Sequence, residues 1–567
     1  MEIRLRTVVY LSLTAWSFFC ADHLVTAQDL PAMTDLDRYV HHDDGAYQWK
    51  VVSNQTGDTF STAVIDMTSQ KWLTEDKVNR THWQHWITIA YPKKVRTNKA
   101  FLMIGGGSNR PNPPGAPDDM IVKIAEATGS VVAELKMVPN QPLIFHNDGK
   151  PRVEDDLIGY TWDQYIKTGD SSWLARNAMV KSAVKAMDTI TAFMASETGG
   201  QQKVDQFVVA GGSKRGWTTW LTGAVDSRVV AICPIVIDVL NVHESMRHHF
   251  AVYGFWAPAV GNYVQHRIME RLEDPRLTDL YKLVDPYYYR HRLTIPKFVV
   301  NAAGDQFFLP DSSQFYWDDL KGPKYLRYVP NADHGLDGSD AIESIIAFYS
   351  LALTNQAGPE FSWTNEADGS IRVTTKTKPA EVRLWQATNP DARDFRLETL
   401  GPKYTSQVIE ASEPGVYVGQ VHDPEIGWTA YFLELTFDVG APVPLKLTTN
   451  VRVTPNVVPF AEKNPSLPTS LTVAAKAKDQ PSAEAVIELV RQAFAVQGID
   501  GDELICRQDG EKCYFNWCPD VSEFEETAGA LTKLLKDNGC QSISYQLESG
   551  RNVTTDAVDA VAVPGGN

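Results

Sequence analysis

Past residue 20 the chain has no apolar run long enough to cross a bilayer, no excess of basic residues, no Cys-x-x-Cys pair, no tandem repeat and no sizeable low-complexity tract. Each absence excludes something. Without a second apolar span the mature polypeptide is not expected to cross a membrane. With 70 acidic against 53 basic residues, a formal charge of -17, its field repels nucleic acid and anionic lipid. Without knuckle spacing, a zinc site is a poor use of the cysteines. His41-His42-Asp43-Asp44 and His248-His249 lack the helical His-x-x-x-His pattern, so neither a metal nor another cofactor is expected.

What is present is globular: 567 residues, 43% hydrophobic and 22% charged, enough for two or three domains. Arg4 and Arg6 precede an apolar run from Val8 to Cys20 and then Val25-Thr26-Ala27 before Gln28, the layout of a signal peptide over residues 1–27. A secreted chain is therefore expected, and sequons at Asn54, Asn79 and Asn552 are its candidate glycosylation sites. Cys506, Cys513, Cys518 and Cys540 crowd the C-terminal end, which suits two local disulfides of undetermined pairing. Cys233, inside Val229-Val230-Ala231-Ile232-Cys233, reads as a buried small hydrophobe.

Three regions follow the signal peptide. From residue 28 to 355, β-branched runs alternate with helical stretches, as in a mostly parallel sheet covered by helices. Strands are predicted at Trp86–Ala90, Ala100–Ile104, Ser130–Leu135, Gln206–Ala210, Val229–Cys233, Lys297–Asn301 and Tyr325–Val329, and helices at Asp118–Ala127, Trp173–Ser196, Thr218–Ala224 and Ala341–Leu353. Residues 360–455 are Thr- and Val-rich with turns at Asp368-Gly369 and Pro414-Gly415, which reads as an immunoglobulin-like β-sandwich. A proline-marked linker leads to residues 470–567, a small cysteine-bearing α+β module. The fold class is thus α/β, a sheet domain covered by helices followed by the sandwich and the module.

The chemistry centres on Ser213. Phe207-Val208-Val209-Ala210 runs into Gly211-Gly212-Ser213, and Gly216-Trp217-Thr218-Thr219-Trp220-Leu221 continues as a helix, which is the strand-turn-helix elbow that exposes a nucleophilic serine. The match to Gly-x-Ser-x-Gly is imperfect, because Arg215 takes the second glycine's place and Gly216 comes one residue late. Arg215 is read as steadying the elbow, holding a substrate carboxylate or forming a salt bridge. A phosphate-binding loop is excluded by the missing Gly-Lys-Ser/Thr order. In the expected chain order, Asp305 follows a strand across Ala302-Ala303-Gly304, and His334 follows the next across Pro330-Asn331-Ala332-Asp333. Asp311 and Asp333 are the rival carboxylates. The N–H groups of Lys214, Gly106 and Gly107 are the candidate oxyanion donors. Arg215, His248 and Trp256, with His243 and Tyr253, are candidate substrate contacts.

These residues carry a family resemblance. Ser69-Gln70-Lys71-Trp72, Trp83-Gln84-His85-Trp86, Pro139-Asn140-Gln141-Pro142, Arg152-Val153-Glu154-Asp155-Asp156, Ser213-Lys214-Arg215-Gly216-Trp217-Thr218 and Gly304-Asp305-Gln306-Phe307-Phe308 resemble the PhoPQ-activated pathogenicity-related proteins over roughly Leu36 to Val453. The resemblance implies a secreted or periplasmic α/β-hydrolase domain followed by a β-sandwich, with Ser213, Asp305 and His334 at the positions the family would use, and it implies no substrate. The elbow is also similar to that of glucuronoyl esterases over a handful of residues. The expected activity is hydrolysis of an ester or amide, the substrate being a small molecule, a carbohydrate ester or a peptide. The rival is a secreted signalling ligand that uses the hydrolase domain as a scaffold and meets a cell-surface receptor.

Overall fold

The computed structural model describes residues 33–462 without a break and, beyond them, the stretches 471–474, 485, 488–492, 505–509, 512–516, 533–534, 536–537, 542–546 and 552–555. The expected signal peptide lies outside the described residues. The first unit is built on a nine-stranded sheet. Its strands are β1 (Gln48–Thr56), β2 (Phe60–Lys71), β3 (His82–Pro92), β4 (Lys99–Ile104), β5 (Val131–Leu135), β6 (Gln206–Gly212), β7 (Val229–Ile235), β8 (Lys297–Ala302) and β9 (Lys324–Val329). They lie in the order β1-β2-β3-β5-β4-β6-β7-β8-β9. Pairing is antiparallel from β1 through β3 to β5 and parallel from β5 onward.

Helices α1 (Asp35–His41), α2 (Asp119–Thr128), α3 (Glu154–Thr168), α4 (Ala175–Ala195), α5 (Lys214–Val225), α6 (Val242–Tyr253), α7 (Gly261–Gln265), α8 (Pro275–Val284) and α9 (Ala341–Thr354) complete this unit. Successive strand side chains point to opposite faces, and the cores divide accordingly. Ala100, Leu102 and Ile104 of β4 share one core with residues of α4 and α5, whereas Phe101 and Met103 share the other with residues of α2 and α9. This mixed sheet, with helices on both faces and a serine at the β6–α5 turn, is an α/β-hydrolase-like scaffold.

All seven predicted strands are present, each slightly longer or shifted at its ends. Strands β1 and β2 are additions that the sequence reading did not assign. β1 is an edge strand with most of its residues exposed, so it has no apolar run to betray it. Helices α3, α6, α7 and α8 were likewise unassigned.

In the next region, β10 (Phe361–Asn365), β11 (Ile371–Thr375) and β14 (Val416–Gly419) make one antiparallel sheet. Strands β12 (Glu381–Asn389), β13 (Thr405–Val408), β15 (Trp428–Phe437), β16 (Leu445–Thr448) and β17 (Arg452–Thr454) make another, with the short helix α10 (Leu397–Leu400) between β12 and β13. Ile371 and Val373 of the first sheet and Leu384, Leu433 and Leu435 of the second share a core with Ile345 and Phe348 of α9. The two regions are therefore fused by apolar packing. Past residue 470, β18 (Leu471–Ala474), β19 (Ile505–Asp509), β20 (Lys512–Asn516), β21 (Ser542–Gln546) and β22 (Asn552–Thr555) form an antiparallel sheet in the order β19-β20-β18-β21-β22. Cys518, Cys540 and the side chains of Cys506, Cys513 and Asn552 lie outside the described residues, and with them the expected disulfides. Cys233 is fully buried and unpaired, and burial pushes its thiol well above the ordinary range. Asn54 and Asn79 are exposed. Among the described residues no helix is long and apolar enough to cross a membrane.

Candidate active site

Ser213 sits between β6 and α5 with φ 57° and ψ -127°, a left-handed backbone that a side-chain-bearing residue adopts only when its surroundings force it. The forcing is visible. The Ser213 N–H donates to the Ile235 carbonyl at 2.8 Å, pinning the turn to the end of β7. Gly216 then brings α5 against the strands so closely that a Cβ there would lie 2.9 Å from both the Gly211 and the Ile235 carbonyl oxygens. The glycine required by the elbow is thus Gly216, one residue later than the usual motif places it.

Asp305 and His334 come from the loops after β8 and β9, and the structure joins them: His334 Nδ1 lies 2.8 Å from Asp305 Oδ2. The other carboxylate oxygen of Asp305 accepts the N–H groups of Phe307 at 2.7 Å and Phe308 at 3.3 Å, which fixes the plane of the carboxylate. Among the described residues His334 Nε2 is buried without a hydrogen-bond partner, and the ring packs on Phe307 at 4.4 Å between centroids. The rival acids are occupied. Asp333 accepts the Gly335 N–H at 2.9 Å. Asp311 is bound by Arg393 at 2.7 Å and His248 at 3.1 Å; burial alone would raise its carboxyl, but these two partners hold it far below the ordinary range.

Both loops are braced by residues from the second region. Leu397 N–H donates to the Gly304 carbonyl at 2.9 Å, immediately before Asp305. Asn331, in the His334 loop, exchanges hydrogen bonds with the backbone of Tyr404 at 2.9 and 2.8 Å. Asp238, three residues after the end of β7, is buried and accepts the hydroxyls of Tyr316 at 2.5 Å and Tyr328 at 2.6 Å. Desolvation pushes its carboxyl up to about 7 against the two tyrosine hydrogen bonds.

The glycine run after β4 is partly committed. The Gly105 N–H donates to the Leu135 carbonyl at 2.7 Å, while those of Gly106 and Gly107 have no backbone partner among the described residues. A Cβ on Gly106 would lie 2.5 to 3.0 Å from the Arg215 guanidinium, so the glycine lets that group lie flat against the loop. Arg215 Nε donates to the Val138 carbonyl at 2.6 Å and Nη2 to Glu154 at 2.5 Å. Arg215 is thereby a brace between the elbow, the glycine loop and α3. Lys214 Nζ takes the other Glu154 oxygen at 2.7 Å and Asp155 at 3.2 Å. Burial would raise the Glu154 carboxyl, but Lys214 and Arg215 outweigh it and hold it down at about 2.

A pocket of about 530 Å³, in part continuous with solvent, opens beside Ser213. Apolar groups such as Ile237, Val239 and Phe307 dominate its wall, with Ser213, Lys214, Asp155 and Arg176 as its polar part. Three expected substrate contacts, Arg215, His248 and Trp256, are not among the lining residues. Arg215 is turned to Glu154, His248 to Asp311, and Trp256 is buried against His249 and Phe250. Conversely, Glu154, Asp155 and Arg176 were not picked out as site residues. The signal for the first two was in plain view: three consecutive carboxylates from Glu154 to Asp156 opening a helix, where the dipole favours them. Nothing in the sequence marked Arg176.

A sequence model of the PhoPQ-activated pathogenicity-related protein family matches residues 36–396. Autocrine proliferation repressor protein A of Dictyostelium discoideum is 39% identical over 456 residues, covering 75% of this chain and 92% of that protein. Among solved structures, the acetyl xylan esterase from Paenibacillus sp. R4 is 14% identical with a TM-score of 0.41, over 57% of this chain and 96% of that one. A glucuronoyl esterase from Solibacter usitatus is 13% identical with a TM-score of 0.33, over 55% and 87%.

Proposed function

The chain belongs to the PhoPQ-activated pathogenicity-related family, and on that footing we propose that it is a secreted serine hydrolase that cleaves an ester or amide through an acyl-enzyme. His334 Nε2 takes the proton of Ser213 as the hydroxyl attacks the carbonyl carbon. Asp305 holds the ring in the tautomer that leaves Nε2 free and stabilises the imidazolium that forms. The N–H groups of Lys214, Gly106 and Gly107 receive the oxyanion. The imidazolium then protonates the leaving group, and water repeats the sequence to release the acid. The observation that supports this most is the Asp305–His334 contact at 2.8 Å combined with a buried, unpartnered Nε2, on the strand-end face where Ser213 holds its strained turn. Cleavage before Gln28, glycans on Asn54, Asn79 and Asn552, an immunoglobulin-like second region, and disulfides among Cys506, Cys513, Cys518 and Cys540 belong to the same proposal.

The test is labelling by a fluorophosphonate. Wild type is expected to react and Ser213→Ala not to. Equal labelling of both, or none of either, rejects the triad. The name of the Dictyostelium relative supports a second reading, a secreted repressor of proliferation that meets a cell-surface receptor with no need of catalysis. Under that reading Ser213→Ala protein keeps its full effect on cell number, and under the first it loses it.

A further inference from the structure

Arg176 is the group in the pocket for which the proposed chemistry has no use. It projects from the first turn of α4, is 2% exposed, and lines the same pocket as Ser213. A guanidinium carries five N–H donors and stays charged in proteins, and burying it without a counter-charge is costly. Part of that cost is offset by the Trp217 ring, whose centroid is 3.7 Å from the guanidinium carbon, and by the Tyr263 hydroxyl at 3.5 Å. Among the described residues, Nε and Nη1 nevertheless have no hydrogen-bond partner.

The neighbouring acids do not supply one. Asp155 gives one oxygen to Lys214 at 3.2 Å and the other to the Tyr263 hydroxyl at 3.0 Å. Asp285 accepts the N–H groups of Val242 and Tyr287, each at 2.9 Å. The remaining wall of the pocket is largely apolar, with Val239, Val260 and Met269 among its residues. A buried cation with unpartnered donors at Nε and Nη1, at the edge of an apolar pocket, matches a ligand that has a hydrocarbon body and an anionic end, because hydrogen bonds from a guanidinium to a carboxylate are charge-assisted.

Resting on the serine-hydrolase reading, we propose that Arg176 is a specificity-determining residue that binds a carboxylate on the part of the substrate filling this pocket, so that the enzyme selects carboxylate-bearing esters or amides over uncharged ones. Lys214, the other cation on the wall, is already engaged by Glu154 and Asp155, which leaves Arg176 as the anion's partner.

The experiment uses the full chain and two ligands of equal length, pentanoate and its uncharged isostere pentanamide. Their binding is read by thermal shift of Ser213→Ala protein and by protection of wild-type Ser213 from fluorophosphonate. The expected result is binding of pentanoate at least tenfold tighter than of pentanamide, loss of that preference in Arg176→Met, and partial retention in Arg176→Lys. If Arg176→Met does not fold, Arg176→Gln takes its place. Equal binding of the two ligands overturns the proposal, as does a preference that survives loss of Arg176, since the oxyanion donors would then be the anion's site. Failure of the hydrolase reading shows separately as absent labelling of wild type, while the thermal shift of the serine-free variant still reads the carboxylate preference.

Discussion

Two glycines flank Ser213, and the structure gives them opposite fates on conversion to alanine. At Gly216 a Cβ would meet the carbonyl oxygens of Gly211 and Ile235 at 2.9 Å and Ile237 Cγ2 at 3.0 Å, whereas at Gly212 nothing lies within 4 Å. Both changes remove the same freedom from the unfolded chain, a stabilisation of about 0.4–1 kcal/mol, so the difference between the two variants isolates the steric term. Overpacking of this kind costs about 1–3 kcal/mol, and relief requires moving two backbone carbonyls, one of which anchors the Ser213 N–H. Gly216→Ala is therefore expected to be about 1–3 kcal/mol less stable than Gly212→Ala in urea unfolding followed by circular dichroism, and to react more slowly with fluorophosphonate than wild type. Equal midpoints, or a more stable Gly216→Ala, would refute the assignment of Gly216 as the glycine that shapes the elbow.

Removing the carboxylate behind the imidazole, in Asp305→Asn, is expected to lower turnover by roughly 10⁴-fold, measured on any ester that wild type hydrolyses, with little change in the unfolding midpoint. Glu154→Gln takes away the acid shared by Lys214 and Arg215; a stability loss of roughly 1–3 kcal/mol is expected from the weakened partnership of these two cations, and an unchanged midpoint would show that Glu154 is not the brace. His85 is fully buried, bonded to Ser69 and to the Lys136 carbonyl, and desolvation lowers its ring to about 4. The unfolded chain therefore binds the extra proton, and the stability His85 gives is complete above about pH 6.5 and lost as pH falls toward 4. His85→Asn should flatten the acid limb of a stability-versus-pH curve by up to about 1.4 kcal/mol per pH unit, and an identical slope would count against it. Asp238 has the opposite sign: its raised carboxyl favours the folded state at low pH, and that advantage is lost as pH rises from about 4 through about 7. Asp238→Asn should thus gain relative to wild type over that interval.

Much of the candidate site was legible because each of its main residues comes within five residues of the end of a strand. Ser213 after β6, Asp305 after β8 and His334 after β9 could be read from apolar runs broken by small residues, and parallel strands put their carboxyl ends on one side. The edge strand β1 was not legible, since exposed strands carry polar residues on both faces. That the expected substrate contacts Arg215, His248 and Trp256 do not line the pocket beside Ser213 was not legible for a related reason. His248 and Trp256 follow β7 in the chain, but the direction in which a helical side chain points depends on the elements packed around it, and theirs point to Asp311 and to His249 and Phe250.

By itself, then, the sequence determined the alternating α/β order, the strained serine turn and the order of serine, acid and histidine, because these depend on local patterns of apolarity and chain flexibility. Tertiary structure alone decided that Arg215 would brace α3 through Glu154, that Asp311 would serve Arg393 instead of His334, and that Arg176 would lie buried beside Ser213. The two charge pairs join residues 61 and 82 positions apart, and pairing at such separations is settled only when the elements that carry them dock.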